Sequence, residues 1–373
     1  MTATPNDSAV ADSQVGDRST RWRFEPRIGT SRWWQVASIF LALLAAFAVS
    51  SLLIASAGAN VLEALQAMGR GAFGSWSAAA ETLVQSTPLI FTGLAVTVAF
   101  RGRIWNIGAE GQFWAGAMAA HWVATNVTGL PAPIIIAVTI IAAFAAGMIW
   151  GGIAGLLKAR YGASEIIVTV MLNFIILFTL SFLLSDAWQD PTSHFYQTAA
   201  TPEASNFPRL LAKGRLHLGF ALALVVAALV YVLLWMTTLG YEIRALGINP
   251  VAARYKGINV ATTTILILAI SGGIAALAGA GELAGLHHRL RLDISTGYGF
   301  TGIIIAMLGR LHPAGVLLAA IFFGALVNGA LGMQISTGVP VALVQAIQGI
   351  TLLFLLTADV LARYRLTRVR TDG

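Results

Sequence analysis

A succession of long apolar runs limits what this chain can become. The runs cover roughly 34–56, 81–100, 104–124, 133–157, 164–185, 216–237, 262–285, 298–311, 313–333 and 340–361. About 20 apolar residues cross ~30 Å of hydrocarbon as a helix. The pattern therefore predicts an all-α, polytopic transmembrane helical bundle of about ten helices, some short or broken. The eighth run, in "GYGFTGIIIAMLG", is short enough to be a half-helix or a re-entrant segment.

Composition agrees. Of the 373 residues, 57% are hydrophobic and 10% charged, with mean hydropathy +0.78. A soluble domain carries roughly 25% charged residues. The net charge of +7 invites a nucleic-acid reading, but the placement of the charge argues for topology instead. With the N-terminus inside, the inner segments hold Arg18 to Arg32, Arg101, Arg103, Lys158, Arg160, Arg244, Arg254, Lys256, Arg310 and the C-terminal arginines. The outer segments keep only Arg70, Arg209, Lys213, Arg215, Arg289 and Arg291. This is the positive-inside bias, and it predicts a multi-pass protein with both termini cytoplasmic and no nucleic-acid partner.

The organisation follows. Residues 1–33 read as a disordered cytoplasmic tail rather than a signal peptide, because the first apolar run is long enough to span. Residues 34–361 form the membrane domain, and 362–373 a basic cytoplasmic tail. Outside loops are expected at about 57–80 and at 186–215, the latter irregular with Pro191, Pro202 and Pro208. Inside, a polar loop covers 238–261.

Several chemistries are excluded. The chain has no cysteine, so it has no disulfide and no thiolate site. The dipeptide Gly-Lys is absent, so there is no phosphate-binding P-loop. "SGG" at 271–273 lies in an apolar run and reads as helix packing. Gly147, Gly151 and Gly155 form a small-residue face for close helix contact. His287 and His288 read as a solvated outside loop without chelating partners. No catalytic grouping stands out, so neither an enzyme nor a cofactor is expected.

Polar residues inside apolar runs are costly and tend to face a cavity or a partner. Asn106, Glu110 and Gln112 sit in "NIGAEGQ" at the head of the third run. Its glycines permit an unwound backbone, tolerated only against protein or water. These groups face a solute path, satisfy a broken helix, or do both. Glu165 opens the fifth run, with Ser164 as its cap, and Asn173 lies deeper on the same face. Glu282 and Asn328 are further intramembrane candidates, although Glu282, among glycines, could simply tie helices together. Asp359 reads as interfacial.

One inner stretch gathers charge unexpectedly: "TTLGYEIRALGINPVAARYKGINVATTT" at 237–264. Asn249 suits an N-cap, Pro250 the first helical position and Gly257 the stop. A helix of two turns is marginal alone. An aromatic knob with basic neighbours on such a helix suits a groove on another protein.

"YEIRALGINPVAARYKGINV" resembles the cytoplasmic coupling loop of ABC-importer permeases of the branched-chain amino acid, simple sugar and nucleoside group. "FRGRIWNIGAEGQFWAGAMAA" at 100–120 resembles the "NIGAEGQ" element of the nucleoside and simple-sugar permeases of that group, the nucleoside-type subgroup, and "GYGFTGIIIAMLGRLHPAGVLLAAIFFGALVNG" at 297–329 resembles the same family. The resemblance runs from about 35 to 360. It implies a permease subunit of an ATP-driven importer for nucleosides or related simple sugars. It implies as partners a cytoplasmic ABC ATPase, a second and different permease chain, an extracytoplasmic solute-binding protein and membrane lipid, in a bacterial-type inner membrane. In the coupling loop it implies that Glu242 and Arg244 stabilise the loop, and that Asn249, Pro250, Ala253, Arg254 and Tyr255 form the docking surface. Asn106, Glu110, Gln112, Glu165, Asn173, Glu282 and Asn328 are the candidate solute path. The alternative is an ion-coupled secondary transporter using Glu110 or Glu165, which needs no ATPase. A non-transporting scaffold is the other rival.

Overall fold

A computed structural model of the chain describes residues 20–26, 32–212, 214–340, parts of 343–358, and 364–370. Its helices are α1 (Arg32–Ser56), α2 (Val61–Phe73), α3 (Trp76–Arg101), α4 (Ala109–Asn126), α5 (Ala132–Tyr161), α6 (Glu165–Ser185), α7 (Leu218–Met236), α8 (Thr238–Ile248), α9 (Pro250–Tyr255), α10 (Val260–Glu282), α11 (Tyr298–Leu308) and α12 (Pro313–Thr337). Strands β1 (Thr20–Pro26) and β2 (Tyr364–Arg370) pair antiparallel, Thr20 opposite Arg370 and Pro26 opposite Tyr364. Part of the tail expected to be disordered is thus a strand. The pairing places both ends of the membrane domain on one side.

Six described helices are long and apolar enough to cross a membrane: α3, α5, α6, α7, α10 with its extension, and α12. Phe40–Ser56 of α1 and Val61–Phe73 of α2, apolar enough together but bent by 119°, count as a seventh when taken as one broken span. The remaining runs of the sequence reading differ in instructive ways. The segment 57–80 is not a loop: Asn60 caps α2 by accepting from the backbone N–H groups of Leu62 and Glu63, and α3 begins at Trp76. The third run does not start as helix at 104, because α4 begins only at Ala109. The eighth run is an 11-residue helix, about 16 Å long at 1.5 Å per residue, half of a crossing. Half of the tenth run, with Asp359, lies outside the described residues.

Burial separates inner from outer helices. Of the most apolar window of α3, 89% is buried, against 22% for α5 and for α6. α3, α4 and α10 form the centre, while α5 and α6 turn isoleucines and phenylalanines outward. Small residues set the spacing. Gly147, Gly151 and Gly155 of α5 lie against the α10 backbone at Gly272, Leu268 and Ile265, with no room for a Cβ. Gly116 of α4 lies equally close to Ala276. The small-residue face and the packing role of "SGG" are both present, because lipid supplies no hydrophobic drive and close backbone contact must substitute.

The segment 186–212, expected as an outside loop, is irregular. Phe207, Thr201 and Thr198 donate their backbone N–H groups to the carbonyls of Ala284, His288 and Leu290, laying 198–207 over the end of α10. Arg289 pairs with Asp190 at 2.7 Å.

Candidate functional site

The inner arm is built by caps. Thr237 caps α8 by accepting from Gly240 N–H at 3.0 Å. Gly240 rests on the backbone of Leu233 and Leu234, so α8 folds back onto α7. Gly247 rests on the carbonyl of Arg101 and on Gly102, seating α8 on the turn between α3 and α4. Asn249 then caps α9, accepting from Val251 N–H at 2.9 Å and Ala252 N–H at 3.1 Å. Pro250 occupies the first position, Lys256 the C-cap, and Gly257 follows with φ +84°.

Tyr255 is 89% exposed, and Ile248, Val251 and Arg254 are exposed beside it. Ala253 is buried at 3%. It belongs to the underside of α9 rather than to the outward face expected for it, and Val251 takes its place there. Glu242 accepts from Thr263 Oγ1 at 3.1 Å, tying α8 to α10. Arg244 lies beside Arg101 and has one buried guanidinium nitrogen without a hydrogen-bond partner.

The second element is a break in the membrane interior. After Arg101 the chain turns through Arg103 at φ 53° and returns without regular structure until α4. Asn106 Nδ2 donates to Ser271 Oγ at 2.8 Å, and Ser271 donates to the carbonyl of Ala95 at 2.6 Å. Ser271 is halfway along α10 and Ala95 lies well inside α3, so α4 starts at mid-depth. Asn106 also donates to Gln112 Oε1 at 2.9 Å and accepts from Gly108 N–H at the same distance. Asn173 of α6 accepts from Gly111 N–H at 2.8 Å and donates to the carbonyl of Ile107 at 2.9 Å. Side chains meet these freed backbone groups, as hydrocarbon requires: the amides of Asn106 and Asn173 serve Gly108, Gly111 and the Ile107 carbonyl, and the Thr169 hydroxyl accepts from the Ile107 N–H at 3.3 Å.

The segment 288–297 returns from the opposite end to the same depth. Glu110 accepts there from Ser295 Oγ at 2.6 Å and from Gly299 N–H at 2.8 Å. Gly299 touches the backbone of Ala109 and Glu110 without room for a Cβ. The N-termini of α4 and α11 therefore meet at one carboxylate, the two helices running in opposite directions. An acid at helix N-termini is favoured by both orphan N–H groups and the macrodipole. Thr296 and Phe300 are exposed at this junction.

Four of the seven expected path residues thus converge: Asn106, Glu110, Gln112 and Asn173. All are buried and bonded to protein, so they frame the break. Glu165 lies at the inner end, paired with Lys158 at 2.6 Å and near Trp105 N–H at 3.4 Å. Ser164 makes no side-chain cap. Glu282 is at the opposite end of α10, 3.4 Å from His287 Nε2 without hydrogen-bond geometry. Asn328 donates to the carbonyls of Gly71 and Ala78, each at 2.9 Å, clamping the α2–α3 turn. Its role is packing, remote from the junction. Ser271, Ser295 and Gly299 went unrecognised. The Ser-Thr-Gly ahead of the eighth run was the available signal.

His287 and His288 are not solvated as expected: His287 faces Glu282, and His288 Nδ1 is buried. Nearby, His217 caps α7 by accepting from Gly219 N–H at 3.1 Å. Burial, then the charge of His288, lowers the His217 pKa to about 4. His288 is also lowered, by burial first and then by Arg209 and His287. The folded values lie below the unfolded value of about 6.5, so the unfolded chain binds these protons more readily. The contribution of His217 is complete above pH ~6.5 and is lost as pH falls towards 4. Asp190, lowered to about 2 by Thr192 and then Arg289, stays ionised throughout that window. The thermal midpoint of the solubilised protein should therefore fall between pH 7.5 and 5. His217→Asn, which keeps a cap acceptor but does not titrate, should remove part of that fall. An unchanged pH dependence in the variant contradicts the assignment.

Comparison with known proteins locates these features. The family described as "Branched-chain amino acid transport system / permease component" matches residues 78–356. A glucose ABC transporter permease protein of Haloferax volcanii is 36% identical, over 92% of this chain and 93% of its own length. A guanosine ABC transporter permease protein of Bacillus subtilis is 36% identical, over 89% of this chain and 96% of its own length. A nucleoside ABC transporter permease protein of Lactococcus lactis is 31% identical, over 84% and 89%.

Proposed function

The chain belongs to the branched-chain amino acid transport system / permease component family as a multi-pass ABC transporter permease subunit, and we propose that it imports nucleosides. Membership implies an ABC ATPase partner. The reading is that the ATPase docks on the outward face of α9, through Asn249, Pro250, Val251, Arg254 and Tyr255. One observation carries it: the capped six-residue α9 exposes Tyr255 and Val251, with Ile248 exposed beside them at the end of α8, while α8 sits on the α3–α4 turn. Closure of the ATPases then pulls on α8, moves that turn, and shifts the junction where α4 and α11 meet.

In this account the solute passes beside the junction, along the exposed Thr296 and Phe300, with Asn106, Glu110, Gln112 and Asn173 holding the frame. An uncharged solute with hydrogen-bonding edges and a flat ring suits a hydroxyl and an aromatic face. Two of the relatives named above carry nucleosides or guanosine in their names. The glucose relative supports a simple sugar as the second reading.

The ion-coupled alternative is disfavoured. Its two candidate carboxylates are already engaged, Glu110 by Ser295 and Gly299 and Glu165 by Lys158. The remaining parts of the proposal are a second, different permease chain, a solute-binding protein on the outer cap, and a bacterial-type inner membrane with both termini cytoplasmic. The β1–β2 pairing supports the common side of the termini. Gentle extraction of the tagged protein from native membranes tests the assembly. An ATPase and a second permease should co-purify, and a lone chain contradicts the proposal.

A further inference from the structure

Two arginines at the coupling end of the bundle come together with no acid paired to either among the described residues. Arg101 is the last residue of α3, and Arg244 is one turn before Gly247, the residue that rests on the Arg101 carbonyl. Their charges repel. Arg101 Nε donates to the carbonyl of Leu311 at 2.8 Å, and its guanidinium lies 5.0 Å from the Trp235 ring. Neither arginine forms an ion pair among the described residues. The acid nearest in sequence, Glu242, is turned to Thr263. Arg244 Nη1 is buried with no hydrogen-bond partner. A buried charged donor left unpaired is costly, and a second guanidinium beside it adds repulsion. Among the described residues no carboxylate meets the pair.

The surroundings indicate which anion. Trp235 stacks on Tyr231 at 5.3 Å, and His312 lies 4.9 Å from Trp235. Tyr231 and Met236 are exposed on the outer side of α7. Tyr and Trp at the end of a spanning helix mark headgroup depth. Basic sites between helices at that depth hold lipid phosphates. A guanidinium pair matches phosphate oxygens in number and geometry.

We propose that Arg101 and Arg244 bind the phosphate of an anionic membrane lipid where α3, α7, α8 and the α11–α12 turn meet. The lipid neutralises the pair and joins α8 to α3, along the route by which the coupling arm meets the α3–α4 turn. The site is independent of which solute is carried.

The test uses the full-length chain purified with the subunits that accompany it. Thermal midpoints are titrated with phosphatidylglycerol, phosphatidylcholine or inorganic phosphate, and retained lipid is measured by native mass spectrometry. Phosphatidylglycerol should stabilise and be retained over phosphatidylcholine. Arg244→Gln should weaken that binding about tenfold, and Arg244→Lys much less, since charged hydrogen bonds are the strong ones. If Arg244→Gln fails to fold, the lysine variant and the preference of the unaltered protein decide. Equal response to both lipids overturns the proposal. Inorganic phosphate matching phosphatidylglycerol and competing with it overturns the lipid source while leaving phosphate recognition. Loss of the ATPase from Arg244→Gln with lipid binding unchanged reassigns the arginine to a protein carboxylate and also overturns it.

Discussion

Replacing Tyr255 by alanine and Val251 by aspartate lowers ATP-dependent uptake at least tenfold while the protein still accumulates in the membrane. The reasoning is one of exposure. Tyr255 is 89% exposed and Val251 62%, so neither side chain contributes much to the chain's own fold. A desolvated aromatic at the centre of an interface is worth about 2–4 kcal/mol, roughly 30-fold or more in affinity. An aspartate placed in the same groove adds an unpaired buried charge. Binding of the purified ATPase should weaken accordingly, and its solute-stimulated hydrolysis should fall. Ala253→Val is the contrast. Ala253 is buried beneath α9, so that change costs stability and leaves the surviving protein coupled. Uptake unchanged in the double variant removes α9 as the docking element.

Glu110 carries the second large effect. Glu110→Ala leaves the Gly299 N–H and the Ser295 hydroxyl without an acceptor at mid-depth. Each unsatisfied buried group costs about 1–3 kcal/mol, and no water replaces the bonds in hydrocarbon. Folded protein should fall steeply, with transport at least tenfold lower per cell. Glu110→Gln keeps an acceptor for Gly299 and a donor for Ser295. It should retain uptake within a few-fold. The pair of variants separates two roles. A capping acid tolerates glutamine and fails with alanine. A carboxylate that binds a proton or a cation during transport fails with both, in protein that folds normally. That second pattern would restore the ion-coupled mechanism.

Much of this was legible in the sequence, and the exceptions have physical causes. α9 could be read residue by residue, because a cap, a first-position proline and a left-handed glycine act locally: Asn249, Pro250 and Gly257. Gly147, Gly151 and Gly155 were legible because close packing in lipid demands small residues at a fixed spacing. The break at "NIGAEGQ" was legible as a break, but not its partners. Asn106 bonds Ser271 and Glu110 bonds Gly299, partners far away in the chain, and nothing local announces such pairs. Hydropathy also overcounts. It reads 298–311 as a run because α11 is apolar, although the helix is half a crossing. It reads 57–80 as a loop because Glu63 and Arg70 punctuate α2. Ala253 was misplaced for a related reason. A six-residue helix has one buried face, and only its contact with the body settles which.

Reconstitution tests the central claim most directly. The chain, its second permease and its ATPase are placed in proteoliposomes with the binding protein on the outer-loop side, and uptake of labelled guanosine is followed with ATP on the coupling-helix side. The account predicts uptake that requires ATP, persists when ion gradients are collapsed, and is lost in the Val251→Asp, Tyr255→Ala variant. Uptake that proceeds without ATP and vanishes when the gradients are collapsed would contradict it.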